Sequence, residues 1–473
     1  MKKVLTTITV LLLLLLTACG GGSTPSGTDS PSTTAAGSES ASTGSSGEPV
    51  TVVMWSSGRH DYEIYAKPLI DKWNAEHSDI KIDYQIYTEN FLQTVEIAAQ
   101  NNELPDIIMA LPQTMVTMLL ERGEVASMEP YLTDEERANI DPSMLIEGLN
   151  LMNGEIFTHG GGSFAMRLVV NNDILEECGL SGPPKTVDQL IEYAKIVHEK
   201  KGSEGVYGFA LPMNNPTDAL QRGFTSIVTL DGATALNGYD FKQGKYDFSC
   251  YKPIMEKLRE LWASGAVFPG CESLSIDPLR TQFAAGKIAM YTTYNHSEWG
   301  VYTAQFPTDV HWSYEMLPTM DGVIEGSQNM GGGVGWMMLN ASKDKDATYK
   351  VIQYFGALEN RVKFYELGLG MTTDKQVLEN AAVPESIGYT PFMAFQPTDK
   401  MWPLTPLSMT LEGDEYGQEF AKYIYGFTDD LDSIVTICND RYNAAYDKSI
   451  AEGRDIRRQY PNFNAADPAG TSK

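Results

Sequence analysis

The chain has 473 residues, 35 of them Lys or Arg and 62 Asp or Glu, a formal net charge of −27 at pH 7. No basic excess is available to displace counterions from phosphates, which argues against a nucleic-acid partner. With 42% hydrophobic and 21% charged residues the composition is globular, and five cysteines without a CxxC pair make neither a disulfide scaffold nor a structural zinc site.

The first element is an address. Lys2 and Lys3 precede an apolar run from Val4 to Leu16 that is too short for a transmembrane helix and closes in Leu16-Thr17-Ala18-Cys19, so residues 1–19 read as a signal peptide. LTAC resembles the bacterial lipobox, which implies that Cys19 is lipidated; the alternative is an ordinary secretory signal with an incidental cysteine. Removing Lys2 and Lys3 leaves 33 basic residues, and 33 − 62 gives −29 for the mature chain. Residues 20–48 are almost wholly Gly, Ser, Thr, Ala and Pro, which cannot bury enough surface to offset chain entropy; they read as a disordered tether spanning roughly 30 Å.

The body then alternates two periodicities. TVVMW, within 49–55, reads as a buried strand; Leu69, Ile70 and Trp73 fall at helical spacing in 68–77; KIDYQIYT alternates Ile82, Tyr84 and Ile86 as a strand; a helix from Asn90 to Asn101 and a strand from Ile107 to Ala110 follow. Strands are further expected at Leu168–Val170, Tyr207–Leu211, Lys287–Thr293 and Val334–Leu339, and helices at Val187–Lys200, Pro253–Ser264, Lys343–Ala357 and Asp429–Ala451. Alternating strands and helices imply βα units, a mostly parallel sheet, and ligands at the carboxyl ends of strands, hence in the loops after Trp55, Ala110 and Thr293.

Several phrases, in this order, resemble the family 1 extracellular solute-binding proteins of ABC importers, the carbohydrate-type receptors: TVVMWSSG, LPDIIMA, LVVNNDILEECGLSGPPKT, YGFALP, FAAGKIAM and GGGVGWMMLNASKDKDATYKVIQYF. The resemblance implies a two-lobed α/β fold of the type II periplasmic-binding-protein kind, each lobe a mixed sheet flanked by helices and discontinuous in sequence. Lobe I would comprise residues 49–164 and 335–385, and lobe II residues 165–334 and 386–473. The crossings are expected near Phe164–Leu168, Gly333–Trp336 and Val383–Tyr389. It implies no catalysis and no cofactor: the receptor takes up a sugar between its lobes, closes, and delivers it to a permease. It would be a monomer held by the lipid on Cys19 and facing outside, on the outer face of the cytoplasmic membrane or in the periplasm where a second membrane exists.

A sugar offers an apolar ring face and a rim of hydroxyls, so its receptor needs flat aromatic platforms and placed polar groups. Trp73 and Trp262 lie on apolar helix faces and read as core. Trp299, in the polar loop YNHSEWG, resembles the family's stacking loop, although Ser297-Glu298 stand where the family has Gly-Pro. Trp55 reads equally as core or cleft; Ser56 and Arg59 follow it in a loop the family uses for polar contacts. Trp336 lies in the expected return crossing, and Trp402, in MWPLT, is the stronger platform candidate of those two. Asn90, Gln113 and Asn295 occupy post-strand loops and read as ligand contacts or as capping residues. Arg167, beside the first crossing, either meets a ligand carboxylate or pairs with one of the many acids, the second being commoner.

Gly160–Gly162 and Gly331–Gly335 lack the Gly-Lys-Ser/Thr of a phosphate loop and read instead as close backbone approach or hinge freedom. KKGSEG has too few carboxylates for calcium, His159 and His296 have no partner at ligand spacing, and no metal is expected. Cys178, Cys250, Cys271 and Cys438 permit several pairings that sequence leaves open. Two further functions stand beside the receptor reading: a surface glycoside hydrolase, which needs two cleft carboxylates about 5–10 Å apart, and a ligand sensor for a signalling receptor.

Overall fold

Val52, Met54 and Ser56 are buried while Val53, Trp55 and Ser57 are half-exposed, the period-two signature of the strand Val50–Ser57 (β1). The computed structural model describes residues 48–57, 61–87, 90–109, 111–158, 161–332, 335–406 and 409–472. The signal peptide, the tether, Cys19 and Arg59 therefore lie outside the described residues. After β1 come Lys67–Glu76 (α1), Ile80–Tyr87 (β2), Phe91–Asn101 (α2), Ile107–Ile108 (β3) and Gln113–Glu121 (α3). Ser163–Phe164 (β4), Met166–Asn171 (β5), Val187–Lys201 (α4), Tyr207–Ala210 (β6), Lys252–Ala263 (α5), Ile288–Tyr294 (β7) and Trp312–Glu315 (β8) follow. Gly331–Gly332 (β9), Met337–Met338 (β10), Lys345–Gly356 (α6) and, near the end, Leu431–Ala451 (α7) complete the frame.

Two sheets organise two lobes. The first has the order β10-β3-β1-β2, with β1 parallel to both neighbours from Val50↔Ile80 to Ser57↔Tyr87 and at Met54↔Ile107, and β10 antiparallel to β3. Helices cover both of its faces. Val52, Met54 and Ile107 pack with Ile70 and Trp73 of α1 and Val351 and Phe355 of α6, while Ile108 and Met337 pack with Val95 of α2 and Val116 and Leu119 of α3. Such two-sided burial explains why these strands read as apolar runs. Trp73 is core as expected. Of the strand expected over Val334–Leu339, the described part pairs as Met337–Met338 against Ile107–Ile108 of β3, with Leu339 bridging Val125.

In the second lobe the order is β8-β5-β7-β6, and all six residues of β5 are buried. Here a mostly parallel sheet does not form: β5 is antiparallel to both β7 and β8, and only β7 and β6 run parallel. The reason is topological. β5 enters from the join between lobes and not from a βα unit of its own sheet, so it runs against its neighbours. α4 buries Leu190, Ile191, Ala194 and Val197 on one face, and its N-cap Thr186 accepts from Gln189 N at 3.1 Å. Trp262 packs, half-buried, on the same core.

The lobes join where β4 meets β9 in an antiparallel pair, Phe164↔Gly331 and Ser163↔Gly332, and Ser163 also bridges Met371. The third contact of the join is thus Met371, ahead of the Val383–Tyr389 stretch, and Tyr365, Met371 and Val377 already share the buried cluster of the second lobe. Gly332 has φ +108°, and a Cβ there would lie 2.3 Å from Gly162 O and 2.7 Å from Ser163 Cα. Only glycine allows the two crossing backbones to approach this closely, so Gly332 serves close backbone approach, one of the two roles expected of the glycine run. The four described cysteines are free.

Candidate functional site

A cavity of about 1230 Å³ opens around the join. Ser57 lies on its wall at the carboxyl end of β1, Met109 and Leu111 just after β3, and Tyr294 and His296 at and beyond the end of β7. The β4 and β9 backbones and the segments Leu369–Asp374 and Met401–Thr405 supply the rest of the join side. The chain direction of each sheet places those loops there, which is where open α/β sheets hold ligands.

Of the sequence candidates, four line this cavity. Trp336 is half-buried, with its ring 5.3 Å from Phe355 and 6.2 Å from Tyr84, and its carbonyl accepts from Thr158 Oγ1 at 3.1 Å. Asn90 sits exposed at the start of α2 with φ +55°, its carbonyl accepting from Thr94 N and Oγ1. Gln113 opens α3. Trp402 touches the cavity but does not offer a platform: it is 2% exposed, its ring packs on Phe463 at 5.1 Å, and its Nε1 donates to Ser327 Oγ at 3.1 Å.

Five others stand away from it, and each is held by the protein itself. Trp55 donates from Nε1 to Gln85 Oε1 at 3.0 Å and tilts on Tyr87 at 4.9 Å, facing a separate surface hollow of about 480 Å³. Ser56 is buried in β1 and donates to Ser57 O at 3.1 Å. Asn295 is fully buried; its Oδ1 accepts from Ala165 N at 2.9 Å and its Nδ2 donates to Met393 O at 2.7 Å. Trp299 packs on Tyr389 at 5.7 Å and beside Gly368, so the loop faces the cavity through Tyr294 and His296 instead. Arg167 is fully buried and is not part of the cavity wall. Its Nη2 and Nη1 donate to Asp399 Oδ2 and Oδ1 at 2.6 and 3.2 Å, and the remaining N–H groups donate to Phe392 O at 2.7 Å, Met166 O at 2.8 Å and Ala394 O at 3.2 Å. All five guanidinium donors are used; of the two readings of Arg167, the acid partner is the one present.

Several wall residues carry no sequence pattern that marks them as ligand contacts. Tyr84, on the outward half of β2, stacks on Tyr62 at 5.5 Å and stands edge-on to Trp336, making an aromatic wall. Facing elements contribute Phe164 and Tyr294, whose centroids are 4.6 Å apart, with the Arg222 guanidinium 4.5 Å over the Tyr294 ring. Burial raises the Tyr294 phenol, with Arg222 acting in the opposite sense. Tyr65 donates to Asn360 O at 3.1 Å; burial, then Asp61, hold its phenol well above the usual range, so it stays a neutral hydroxyl. Arg361 is ion-paired to Asp374, which also caps the helix Lys375–Asn380. The one usable signal was position: Tyr294 directly follows an expected strand. Among the described residues no cluster of three or more His, Cys, Asp or Glu is arranged to hold a metal.

Half-buried rings on a cavity wall, interspersed with hydroxyl, amide and carboxylate groups, can hold a ligand that is flat, apolar on its faces and polar at its rim. Comparison with known proteins agrees in fold. The GacH receptor of Streptomyces glaucescens, described unliganded and with acarbose, is 17% identical over 85% of this chain and 97% of its own, with TM-score 0.64. The sugar-binding protein MalE of the phytopathogen Xanthomonas citri is 18% identical over 86% and 100%, with TM-score 0.62. The maltose-bound MalE3 of T. maritima is 16% identical over 82% and 99%, with TM-score 0.65. No curated protein matches the sequence. The family model for bacterial extracellular solute-binding proteins matches residues 57–361, and this chain is a member of that family.

Proposed function

We propose that the protein is the sugar-binding receptor of an ABC importer, taking a sugar or oligosaccharide into the cavity at the join of its lobes and presenting the closed form to the permease. The observation that carries this reading is the cavity of about 1230 Å³ with Tyr84, Trp336, Phe164 and Tyr294 on its wall, since aromatic faces beside polar groups suit pyranose rings. Structures of the same fold with acarbose, raffinose and maltose support it. Two backbones crossing at Gly332 supply a hinge on which lobes can close. Trp336 is the stacking ring, with Asn90 and Gln113 as polar contacts. The protein works as a binder without chemistry of its own, as a monomer tethered through lipid on Cys19. No described helix is long and apolar enough to cross a membrane.

A thermal-shift screen of mono- and oligosaccharides, amino acids and polyamines tests the assignment, because a ligand that binds only the folded state raises Tm. A sugar should raise it. A shift with polyamines or amino acids and none with any sugar overturns it.

A further inference from the structure

The cavity wall divides by chemistry. One part is aromatic and polar: Tyr84, Trp336 and Phe355 belong to the core on one face of the first sheet, and Tyr65, Asp61 and the Arg361–Asp374 pair stand on the same wall. Another part is aliphatic. Leu111, Leu149 and Leu404 belong to the core on the opposite face of that sheet, and Ile146 packs on it. Beside them Met109, Ile140, Met144 and Leu145 also line the cavity, and these four and Ile146 are half-buried. Leu404 comes from the distant segment that follows Trp402, yet a Cβ on Gly148 would sit 3.4 Å from its Cδ1, so the aliphatic surface is continuous between two parts of the chain.

Hydroxyl groups lose water against such a surface and gain no hydrogen bond from it. Methyl and methylene groups gain there. At about 1230 Å³ the cavity also exceeds the roughly 300–1,000 Å³ of most small-molecule sites. Among the described residues its wall carries the carboxyl groups of Asp61, Glu136, Asp141 and Asp374 against Arg361, which already pairs with Asp374, and the His296 imidazole, so the acidic groups outnumber the basic ones and the field disfavours an anionic group.

We propose that the ligand is a glycoside carrying a neutral apolar substituent, an alkyl or aryl aglycone or an ester-linked acyl group. Its sugar lies on Tyr84 and Trp336, and the substituent lies on the Met144–Ile146 surface. This rests on the sugar-receptor reading.

The test uses the full chain and matched methyl, butyl and phenyl glycosides of the same sugars, titrated by calorimetry. Butyl glycosides should bind more tightly than methyl by up to about fourfold per added methylene, with a more negative heat-capacity change. Ile146→Ser should shrink the butyl-to-methyl ratio. Equal affinity for methyl and butyl glycosides overturns the inference and leaves the sugar reading standing. Binding of none of the glycosides or free sugars, with a melting shift from amino acids or polyamines, overturns both.

Discussion

Replacing Arg167 with methionine removes a guanidinium whose five N–H groups all have partners, and leaves Asp399 buried without its counter-charge. Asp399 keeps two neutral donors, Gln328 Nε2 on Oδ1 and Gln396 N on Oδ2, both at 2.7 Å. Breaking a buried pair by removing one partner costs about 3–5 kcal/mol. The carbonyls of Met166, Phe392 and Ala394 lose a donor as well, each worth about 1–3 kcal/mol where burial persists, although contributions from one network do not add. A loss of at least about 4 kcal/mol is expected. At roughly 2–4 °C per kcal/mol for a lobe of this size, Tm should fall by about 10 °C.

The assay is calorimetric melting of the variants without ligand, followed by titration with a sugar that binds the wild type. Arg167→Lys keeps the charge but not the fork and should fall between the two. The double variant Arg167→Met with Asp399→Leu should recover much of the loss, because apolar replacement of a buried pair is often neutral or better. An Arg167→Met protein that melts within about 1 °C of wild type and binds sugar poorly would refute this reasoning and restore Arg167 as a ligand contact.

Trp336→Ala should weaken sugar affinity by about tenfold or more, through the lost stacking face, whereas Trp299→Ala should lower Tm and leave the dissociation constant unchanged; the reverse pattern by calorimetry would reassign the platform. Gly332→Ala forces a side chain into φ +108° and against Gly162 O, so a loss of about 1–3 kcal/mol or more in urea melts is expected; wild-type stability would show that the join is not tightly crossed. Burial raises the Glu315 carboxyl, partly offset by the Ser313 hydroxyl donating at 2.7 Å. A folded value above the unfolded one means the proton's contribution to stability is full below the unfolded value and lost as pH rises through the folded one. Glu315→Gln should therefore raise Tm at pH 7, with the gain vanishing as pH falls below about 4; a gain that persists in acid would point to packing instead.

Local periodicity carried the frame well. The strands at Val50–Ser57 and Ile80–Tyr87 and the helices at Lys67–Glu76, Val187–Lys201 and Leu431–Ala451 lie within a few residues of their sequence expectation, because each alternates burial against one or two covering layers. What pairs across the chain was not legible. Arg167 and Asp399 are 232 positions apart and Asn295 and Met393 are 98, so nothing local distinguishes a polar side chain aimed at a ligand from one aimed at a distant carbonyl. Trp402 was misread for the same reason: the segment that covers its ring, with Phe463 and Ala465, arrives only near the C-terminus. The wall residues Arg361, Thr372 and Asp374 come from a stretch with no strong period and no motif.

Two of the polar residues that the sequence offered as ligand contacts, Arg167 and Asn295, share one destination, and it is not solvent. Arg167 donates to the carbonyls of Phe392 and Ala394, and Asn295 to that of Met393 between them. Tyr314 N donates to Thr390 Oγ1 at 2.6 Å, and Asp399 closes the set. Together they clamp residues 390–399 against β5, β7 and β8. A chain so fixed continues directly into Met401–Thr405, where Trp402 turns into the second core and Leu404 reaches the first, so the same segment forms part of the cavity wall. Loosening the clamp acts on binding through the position of that wall. An Arg167→Lys variant that still folds should consequently lose affinity most for ligands that reach the Leu404 surface, and least for those confined to Tyr84 and Trp336.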